Sequence, residues 1–457
     1  MSHLLIIGGS DAGISAALRA REIDPSVEVT VMLADDFPNY SICGLPFFLS
    51  GEVPDWHNLA HRTKDDILAT GIQLLTNHRA IAIHPDSHTV TVLTLDQQEI
   101  QLTYDRLVLA TGAASKRPPI DGLDLPGVYF LRWMEDSFAV HQHLTQHSPR
   151  SALIVGGGYI GMEMADALTL AGLAVTVVEH SPTVLKTVDP TFGERVADEL
   201  RQHGVQVVNG ISVQTIQQKQ DQLWVKGSEG FEAIADLVLV AVGARPATEL
   251  AETAGVELGE TGAIKVDPQM ATTVPQIYAA GDCVETQHRL LEAPTYLPLG
   301  TTAHKQGRVA GENAVGGDAA FSGSLGTQVV KVFELAIART GLREAEAQEA
   351  GYTPITVEFE TWDHKVYYPD AHPLRIRITG DAHTQRLLGA QMLGHYQGEV
   401  AKRIDIFATA IFCGFKVADL NDLDLSYTPP LSSPWDPVQM AAQAWQMEWK
   451  RAIALKS

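Results

Sequence analysis

The feature that most constrains the fold is a repeated junction of an apolar strand, a glycine-rich turn and a helix. The first copy, LLIIGGSDAG, occupies residues 4–13, and the second, ALIVGGGYIG, occupies residues 152–161. Each copy is completed by a later apolar strand that ends in glycine, at residues 107–112 and 237–243. Such repetition is typical of a chain with two related nucleotide-binding domains. We therefore predict an α/β fold with two Rossmann-like dinucleotide-binding domains, the first helix beginning near Ile14.

The second turn has the full spacing of a dinucleotide-binding motif. Its three glycines allow a tight turn, close approach of a pyrophosphate and packing of the helix. Glu179 ends the next strand, where its carboxylate can accept hydrogen bonds from both ribose hydroxyls and would repel a 2′-phosphate. The turn therefore predicts an NADH site, with NADPH as the alternative cofactor and a purely structural glycine turn as the competing interpretation. The expected contacts of the nicotinamide dinucleotide are Gly156, Gly158, Tyr159, Ile160, Gly161, Glu179 and Gly243.

The first turn is less regular than the second. Ser10 stands at the middle glycine position, and Leu33 stands where an acidic residue is expected. Asp35 or Asp36 would then take over the ribose contact. A lone cysteine, Cys43, follows in the next loop. Two dinucleotide sites with one loop cysteine predict FAD in the first domain and a nicotinamide cofactor in the second, with hydride passing from one to the other.

Cys43 is the only one of three cysteines that the sequence places in a loop, within the segment NYSICGLP. Gly44 and Pro46 favour a turn that starts a helix, and a helix N-terminus would stabilise the thiolate. We therefore predict that Cys43 is a redox nucleophile, against the alternative that it is a buried packing residue. Cys283, in a strand-end turn, and Cys413, in an apolar helix, are predicted to be packing residues.

The length of 457 residues corresponds to about three domains. Alternating apolar segments near the C-terminus predict a compact α+β module. Its expected strands and helix lie at 356–361, 374–379, 387–392 and 399–413. The expected domains are an FAD-binding domain formed by 1–115 and 246–325, an NAD(P)H-binding domain at 116–245 and the α+β module at 326–457.

Acidic residues outnumber basic ones by 55 to 33, which gives a net charge of −22. Such a chain repels nucleic acid and anionic membranes, so neither is expected as a partner. No apolar run reaches the length of a membrane span, and a strand begins directly after Met1-Ser2-His3, so no signal peptide is expected. The scattered cysteines form no CxxC pair, which favours a reducing cytoplasm. His141 and His143 face different sides of a helix without accompanying ligands, so no metal site is expected.

Together these motifs resemble the pyridine nucleotide-disulfide oxidoreductase superfamily, in particular its single-cysteine branch of coenzyme A-disulfide reductases, NADH oxidases and NADH peroxidases. The resemblance covers essentially the whole chain and implies FAD, NAD(P)H, a homodimer and a dimerisation domain at 326–457. Besides the glycine turns, it is carried by the segments CGLP at 43–46, ATG at 110–112, AVG at 241–243, AGDC at 280–283, QGR at 306–308, GEN at 311–313, KVF at 331–333, ARTGL at 338–342, YYP at 367–369, KRID at 402–405 and SYTPP at 426–430.

By this resemblance, Cys43 faces the flavin and Asp282 hydrogen-bonds the ribityl chain of FAD. Tyr427 and one of Tyr367 and Tyr368 would reach the disulfide site from the second subunit, so that the dimer is needed for catalysis. Without the family, the Tyr-Tyr-Pro segment is a strand-end aromatic cluster. The expected FAD contacts are Gly8, Gly9, Ser10, Asp11, Ala12, Gly13, Asp35, Ser41, Ala110, Thr111, Gly112, Gly281 and Asp282.

Three positions depart from the family pattern. NADH oxidases and peroxidases carry a histidine where this chain has Asp11, which weakens the case for peroxidase chemistry. Coenzyme A-disulfide reductases commonly have an asparagine before the cysteine and a basic residue in the first helix, where this chain has Ile42 and Glu22. Arg19 and Arg21 are near enough to leave an anionic ligand open. A smaller disulfide, a persulfide or a polysulfide fits as well as coenzyme A disulfide.

We therefore predict an FAD-dependent, NADH-preferring reductase of a disulfide, persulfide or polysulfide. Hydride would pass from NADH to FAD and two electrons from FAD to Cys43, whose thiolate attacks the substrate to form a mixed disulfide. Tyr427 would protonate the leaving thiolate. One alternative is an NADH oxidase in which Cys43 cycles through a sulfenic acid. Another, from a different class, is a flavoprotein redox sensor or electron-transfer partner.

Overall fold

The computed structural model describes residues 2–454 and confirms the predicted α/β fold with a C-terminal α+β domain. The chain begins with a strand, the first glycine turn and a helix. The elements of this N-terminal segment are β1 (His3–Ile7), α1 (Asp11–Ile23), β2 (Glu28–Met32), α2 (Leu45–Ser50), α3 (Lys64–Ala69), β3 (Gln73–Leu75), β4 (Arg79–His84), β5 (Thr89–Leu93), β6 (Glu99–Thr103), β7 (Arg106–Leu109) and β8 (Ala113–Ser115).

The second segment repeats the strand, glycine turn and helix of the first. Its elements are β9 (Val128–Tyr129), α4 (Met134–His147), β10 (Ser151–Val155), α5 (Tyr159–Leu170), β11 (Ala174–Glu179), α6 (Pro190–Gln202), β12 (Gln206–Asn209), β13 (Val213–Lys219), β14 (Gln222–Gly227), β15 (Glu232–Ala235) and β16 (Leu237–Val240).

The remaining elements cross back to the first sheet and then form the C-terminal domain. They are β17 (Ala244–Pro246), α7 (Glu249–Thr253), β18 (Ile277–Ala279), β19 (Thr286–His288), β20 (Ala293–Thr295), α8 (Gly300–Ala314), β21 (Gln328–Val332), β22 (Leu335–Gly341), α9 (Glu344–Glu349), β23 (Pro354–Trp362), β24 (Pro373–Asp381), β25 (Leu387–His395), α10 (Val400–Phe412) and α11 (Pro437–Ala454).

The first sheet is parallel and has the strand order β18-β7-β1-β2-β3. Strand β1 lies at its centre, with Leu5 and Ile6 fully buried, because helices cover such a sheet on its faces. Strand β18 pairs with β7, so the chain returns to this sheet after the second segment. Helix α8 packs closely on α1, since Cβ atoms at Gly307 and Gly311 would lie 2.2 and 2.1 Å from carbonyl oxygens of α1.

The second sheet is also parallel, with the order β12-β11-β10-β16-β9. Its central strand β10 pairs with β11 and β16, the same arrangement that β1 has with β2 and β7. Each glycine turn therefore leaves the carboxyl end of a central strand, which is where dinucleotides bind in such sheets. The two small antiparallel sheets β4-β5-β6 and β13-β14-β15 complete the repeat.

The third sheet is antiparallel, with the order β21-β22-β25-β24-β23. Helices α10 and α11 pack on it, and the fully buried side chains of Phe407 and Trp445 join the core between helices and sheet. The three strands predicted for this domain are present; β23 and β24 extend beyond both expected ends, and β25 begins at the expected residue and extends further at its C-terminal end. The exact domain boundaries given above stay a prediction.

Helix α1 begins at Asp11, not near Ile14 as the sequence predicted. Ser10 is the residue before the helix, so the turn is completed earlier than the apolar pattern suggested. Asp11 carries a carboxylate in the first turn, which is favourable at the positive end of a helix. This difference places Asp11 at the helix N-terminus, within the first glycine turn.

Candidate active site

The first glycine turn holds its strand, turn and helix in direct contact. Gly8 has a φ of 116°, and a Cβ atom there would lie 2.1 Å from the carbonyl oxygen of Ala110. A Cβ atom at Gly13 would lie 1.9 Å from the carbonyl oxygen of Gly8. Ser10 stands between them, immediately before α1. The turn therefore presents helix N–H groups to the carboxyl edge of the sheet, as binding of a phosphate requires.

The acidic side chains after β2 have different surroundings. Leu33 packs beneath the turn, where its Cδ1 lies 3.0 Å from a Cβ position built on Gly9. Asp36 forms an ion pair with Lys64. Asp35 accepts a hydrogen bond from the backbone N–H two residues on, and burial raises the pKa of its carboxyl group. Of the two candidates for the ribose contact, Asp36 is paired with Lys64 and Asp35 is not.

The second turn has the same construction, with one position left open. A Cβ atom built on Gly156 would lie 2.5 Å from the carbonyl oxygen of Ala241. One built on Gly161 would lie 2.0 Å from the carbonyl oxygen of Gly156. At Gly158 it would meet no atom within 4 Å. Glu179 is buried beside the turn, and its carboxylate accepts hydrogen bonds from the N–H groups of Gly157 at 2.6 Å and Ser181 at 2.7 Å.

Cys43 lies in a single helical turn, Ile42–Gly44, directly before the six-residue helix α2. Its thiol is free and its side chain exposed. Burial nevertheless raises the pKa of the thiol, and the nearby carboxylate of Glu163 raises it further. The side chain is open to solvent on one side and surrounded by protein on the other, which accounts for an accessible thiol that is partly desolvated.

That a helix N-terminus stabilises the Cys43 thiolate stays a prediction, and burial and nearby carboxylates act in the opposite direction on the pKa of the thiol. Asp11 and Asp282 add to the effect of Glu163, whereas the Arg132 guanidinium lowers the pKa of the thiol. Carboxylates disfavour a second negative charge nearby.

The other two cysteines differ from each other. Cys283 is fully buried, and its sulfur contacts the carbonyl oxygens of Ala280 at 3.4 Å and Leu109 at 3.6 Å, which confirms its packing role. Cys413 is exposed at the end of α10, so the prediction that it packs in the core is wrong. The apolar face of α10 ends before this residue. Cys43 therefore has no cysteine partner among residues 2–454, where all three thiols are free.

Residues 2–307 match the model of the pyridine nucleotide-disulphide oxidoreductase family, and residues 327–437 match the dimerisation domain of the same family. The chain belongs to the pyridine nucleotide-disulphide oxidoreductase family. It is 34% identical over 455 residues to an NAD(P)H sulfur oxidoreductase (CoA-dependent) of Pyrococcus furiosus, covering 96% of this chain and 98% of the relative. It is 33% identical over 444 residues to an NADH oxidase of Methanocaldococcus jannaschii, and the match covers 96% of this chain and 97% of that relative.

A solved structure of an NAD-dependent persulfide reductase from A. fulgidus superimposes with a TM-score of 0.94 at 38% identity, covering 98% of this chain and 84% of that chain. Proteins of this oxidoreductase family use FAD and NAD(P)H. The two turns fit these cofactors. In each, glycine backbone closes the strand-to-helix junction, and at Gly158 the space that a side chain would fill is free for a pyrophosphate.

Asp282, expected at the flavin, is placed beside the first turn and is paired with a cation. Arg132 donates to its Oδ2 at 2.6 Å and also to the Ala113 oxygen at 3.2 Å. Gly281 has a φ of 88° and donates its N–H to Gln306 at 3.0 Å. Asp282 therefore lies at the expected edge of the first sheet, where the Arg132 guanidinium group binds its carboxylate.

The remaining predicted cofactor contacts are distributed around the two turns. Ser41 precedes the turn that carries Cys43. Thr111 donates its hydroxyl to the Ala247 oxygen at 2.7 Å, at the strand that closes the first unit. Tyr159 begins α5, and its phenol oxygen accepts a hydrogen bond from Thr187 at 3.1 Å. Ala12 is buried in the core of the first domain, and Ile160 packs against the core that includes α5, while Gly112 and Gly243 follow β7 and β16.

The three tyrosines predicted to serve the active site all lie on the C-terminal domain. Tyr367 is 71% exposed, and Tyr368 and Tyr427 are each 44% exposed. Desolvation raises the pKa of the Tyr427 phenol, and the neighbouring Tyr367 raises it further. Within one subunit the structure does not group them with Cys43. Their role stays a prediction that needs the second subunit.

The cations of α1 are engaged within the chain. Arg19 forms ion pairs with Glu22 at 2.9 Å and Glu312 at 2.6 Å. Arg21 donates to the carbonyl oxygens of Pro25 at 2.6 Å and Val27 at 2.9 Å. Neither guanidinium group stands free to meet an anionic ligand at this helix.

Two residues near Cys43 were missed by the sequence analysis, Arg132 and Glu163. Arg132 had no motif to mark it. Glu163 had a weak signal, because it is a carboxylate two residues after the third glycine of the second turn, on a helix that is otherwise apolar at this end. Both approach the sulfur only through the packing of the second segment on the first.

The histidines considered as metal ligands have aromatic neighbours. His141 stacks on Phe48 with ring centroids 4.9 Å apart, and His143 stacks on His147 at 4.7 Å. Within residues 2–454, the side chains that could together hold a metal ion are Glu199, His203 and Glu334, away from both glycine turns. No helix in the described part of the chain is both long and apolar enough to cross a membrane.

Proposed function

We propose that the protein reduces a sulfur–sulfur bond at Cys43 with electrons from NADH. The observation that carries this proposal is the exposed Cys43 thiol, which has no second thiol beside it in residues 2–454. A lone cysteine can complete a disulfide exchange only if the substrate supplies the other sulfur. The name of the Pyrococcus furiosus relative, a sulfur oxidoreductase, and that of the solved persulfide reductase support the same class of substrate.

In this reaction Cys43 is the nucleophile. The Cys43 thiolate attacks a substrate sulfur, forms a mixed disulfide and releases the other sulfur as a thiol or sulfide. When bound, FAD and NADH supply the electron pair that returns Cys43 to the thiolate. Arg132, which is paired with Asp282, is a nearby cation that favours the negative charge on sulfur.

We propose that the first turn binds FAD and the second binds the nicotinamide dinucleotide. Glu179 favours NADH, because its buried carboxylate already stands beside the turn, where it would meet a 2′-phosphate. In the first domain, Asp35 takes the ribose contact that Leu33 cannot make. The residues assigned to catalysis are Cys43 and, from the second subunit, Tyr427 with Tyr367 or Tyr368.

We infer that the working unit is a homodimer in the cytoplasm. The match to a dimerisation domain and the exposure of aromatic side chains on that domain support the dimer. Three cysteines without a disulfide support a reducing compartment.

A second candidate is an NADH oxidase in which the Cys43 sulfenic acid is the oxidised form. The relative in Methanocaldococcus jannaschii with this name supports it. Against it stands Asp11, which occupies the position where the oxidases carry histidine. An oxidase would consume NADH in fixed proportion to O₂, and added disulfides would leave the rate unchanged.

The test is an anaerobic NADH titration of the flavoprotein followed by rapid mixing with separate acceptors. The acceptors are coenzyme A disulfide, a small aliphatic disulfide, a persulfide, polysulfide, hydrogen peroxide and O₂. We expect the sulfur acceptors to reoxidise the enzyme faster than O₂ and peroxide do. Fast reoxidation by O₂ alone would overturn the proposal in favour of the oxidase.

A further inference from the structure

Two loops of the C-terminal domain carry the tyrosines proposed for catalysis. Residues 363–372 connect β23 to β24 and contain Tyr367 and Tyr368, and residues 423–436 lead into α11 and contain Tyr427. All three side chains are exposed. A phenol on a loop can act at a defined place only if the loop itself is held by its surroundings.

The first loop is closed at its base by a buried carboxylate. Asp363 is 4% exposed, and its Oδ1 accepts the backbone N–H groups of His364 at 2.7 Å and His372 at 3.0 Å. The backbone N–H of Asp363 donates to the carbonyl oxygen of His372 at 3.0 Å. The two ends of the loop are therefore fixed to each other, with Tyr367 and Tyr368 near its middle.

The loop of Tyr427 contacts the first loop directly. The backbone N–H of Lys365 donates to the carbonyl oxygen of Pro429 at 3.3 Å. The Lys365 Nζ lies 4.5 Å from the centre of the Trp435 ring, within the range of a cation–π interaction. The two loops that carry tyrosines are therefore joined to each other by backbone and by side chain.

The buried guanidinium group of Arg403 also binds both loops. Arg403 lies in the first turn of α10, within the segment KRID at 402–405, and is 5% exposed. Its Nη2 donates to the carbonyl oxygens of Asp363 at 2.5 Å and Leu431 at 3.3 Å, and its Nη1 donates to the Gly398 oxygen at 2.7 Å. Because a lysine lacks the planar fork of donors, it cannot reproduce this set of contacts.

We propose that Arg403 is a positioning residue, which fixes the loop of Tyr367 and Tyr368 against the loop of Tyr427 so that a phenol can protonate the thiolate leaving at Cys43 of the partner subunit. In that step the phenol O–H bond breaks and an S–H bond forms, no electrons are transferred, and the phenolate regains a proton from solvent. The inference rests on the proposed function, because it takes these tyrosines as proton donors.

The test compares two acceptors with NADH and the full-length, FAD-loaded protein. Hydroxyethyl disulfide releases an aliphatic thiolate, which needs a proton, whereas dithiobis(nitrobenzoic acid) releases an aromatic thiolate of low basicity, which does not. For Arg403→Lys we expect the kcat with the aliphatic disulfide to fall at least about tenfold, with little change in KM. The kcat with the aromatic disulfide should stay within about twofold of the wild type.

The matched control is Arg339→Lys, which changes another buried arginine of the C-terminal domain. Arg339 donates to the carbonyl oxygens of Thr187 and Gly341, which lie outside both tyrosine loops. This variant should lose stability but keep the wild-type ratio of the two kcat values. An equal loss with both acceptors in Arg403→Lys, as a purely structural role would give, overturns the inference, and so does no loss with either.

Lys365→Met is a second variant, in which the cation over Trp435 is removed from a partly exposed position. We expect it to lower the ratio of aliphatic to aromatic kcat by about threefold. If Arg403→Lys does not fold, an unchanged ratio in Lys365→Met overturns the inference. A lower ratio in Tyr427→Phe beside an unchanged one in Arg403→Lys overturns the role of Arg403 alone, whereas undiminished disulfide reduction by Cys43→Ser overturns the proposed function.

Discussion

At Cys43, the balance of nearby charge opposes formation of the thiolate. Glu163, Asp11 and Asp282 each disfavour a negative charge on the sulfur. Arg132 favours it, but this guanidinium is held by Asp282. Because burial and like charges both raise the pKa of a thiol, Cys43 gives up its proton less readily than an ordinary cysteine. This differs from cysteines whose thiolate is stabilised by a long helix or by a free cation.

Glu179 is expected to set the preference between the two nicotinamide cofactors. The Glu179→Gln substitution should raise the KM for NADH at least about tenfold, because loss of a charge-assisted hydrogen bond costs about 1.5–3 kcal/mol. The KM for NADPH should fall, since the charge that repels a 2′-phosphate is removed. Steady-state kinetics with both cofactors measure the two effects. The control is Glu194→Gln, which removes a carboxylate on α6. An unchanged ratio of the KM for NADH to the KM for NADPH in Glu179→Gln would refute the assignment.

The sequence located Cys43 and Glu179 because each stands at a regular place after a glycine turn. Glu163 and Arg132 could not be located in this way. Their distance in sequence from Cys43 is large, and they reach the sulfur only when the second segment packs on the first. No local sequence pattern indicates contacts between residues so far apart in the chain. For the same reason the raised pKa of the Cys43 thiol was not foreseen.

Each glycine turn combines positions that only glycine can occupy with a position open to a ligand. In the second turn, Gly156 and Gly161 are closed by backbone atoms within 2.5 Å of a built Cβ atom, whereas Gly158 has nothing within 4 Å. The fold therefore depends on the first two, and cofactor binding depends on the third. The sequence spacing predicted this element well, because close backbone approach leaves no alternative to glycine.

The two kinds of glycine should respond differently to the same small change. Gly161→Ala is expected to lower the melting temperature by about 5 °C, because its methyl group overlaps the Gly156 oxygen. Gly158→Ala should keep the wild-type melting temperature and raise the dissociation constant for NADH at least tenfold. Differential scanning fluorimetry and NADH titration provide the two readouts. A stable Gly161→Ala protein, or wild-type NADH affinity in Gly158→Ala, would contradict this description of the turn.

An ion-pair cluster fastens the C-terminal domain to the second segment. Arg339 donates to the Thr187 oxygen at 2.6 Å and to Glu346 at 2.8 Å, and Arg343 donates to Glu346 at 3.0 Å. Burial alone would raise the pKa of Glu346, but these guanidinium groups outweigh it and lower the pKa to about 2. A lowered carboxyl pKa contributes stability above the ordinary value of 4.5, and that contribution is lost as the pH falls through about 2.

Glu346→Gln is therefore expected to lower stability at pH 7 by about 2 kcal/mol, or the melting temperature by about 5 °C. The difference from the wild type should shrink as the pH falls below 4.5. Thermal unfolding at several pH values measures it. Glu344→Gln, on the same helix α9, serves as the control. A constant difference at all pH values would show that Glu346 acts through packing and not through its charge.

At the scale of the whole molecule, polar contacts fix the second segment against the C-terminal domain. Asp189 accepts hydrogen bonds from Arg377 at 2.8 Å and Gln391 at 2.7 Å, and Lys331 reaches Asp166 on α5. The position of α5, and with it Glu163, therefore depends on the C-terminal domain. The sequence predicted the three domains from repeats and strand patterns, but these contacts join residues far apart in the chain and carry no local signal.

The role of the second subunit can be tested by mixing two inactive variants. If Tyr427 serves the Cys43 of the partner subunit, a hybrid of Cys43→Ser and Tyr427→Phe subunits has one complete site. Subunit exchange should then restore up to half of the wild-type activity per hybrid dimer. If both residues serve the same subunit, no hybrid site is complete and activity should not rise on mixing. Size-exclusion chromatography of differently tagged subunits confirms the exchange.

The most direct test of the account is the Cys43→Ser substitution in the FAD-loaded protein. We expect NADH oxidation driven by disulfide, persulfide or polysulfide to fall about a thousandfold or more, because the nucleophile is lost. Reduction of an artificial electron acceptor such as ferricyanide by NADH should be unchanged, since both cofactor sites remain. Cys413→Ser, which removes the other exposed thiol, should keep full sulfur-reducing activity. Undiminished turnover of sulfur acceptors by Cys43→Ser would contradict the central claim that this one sulfur carries the reaction.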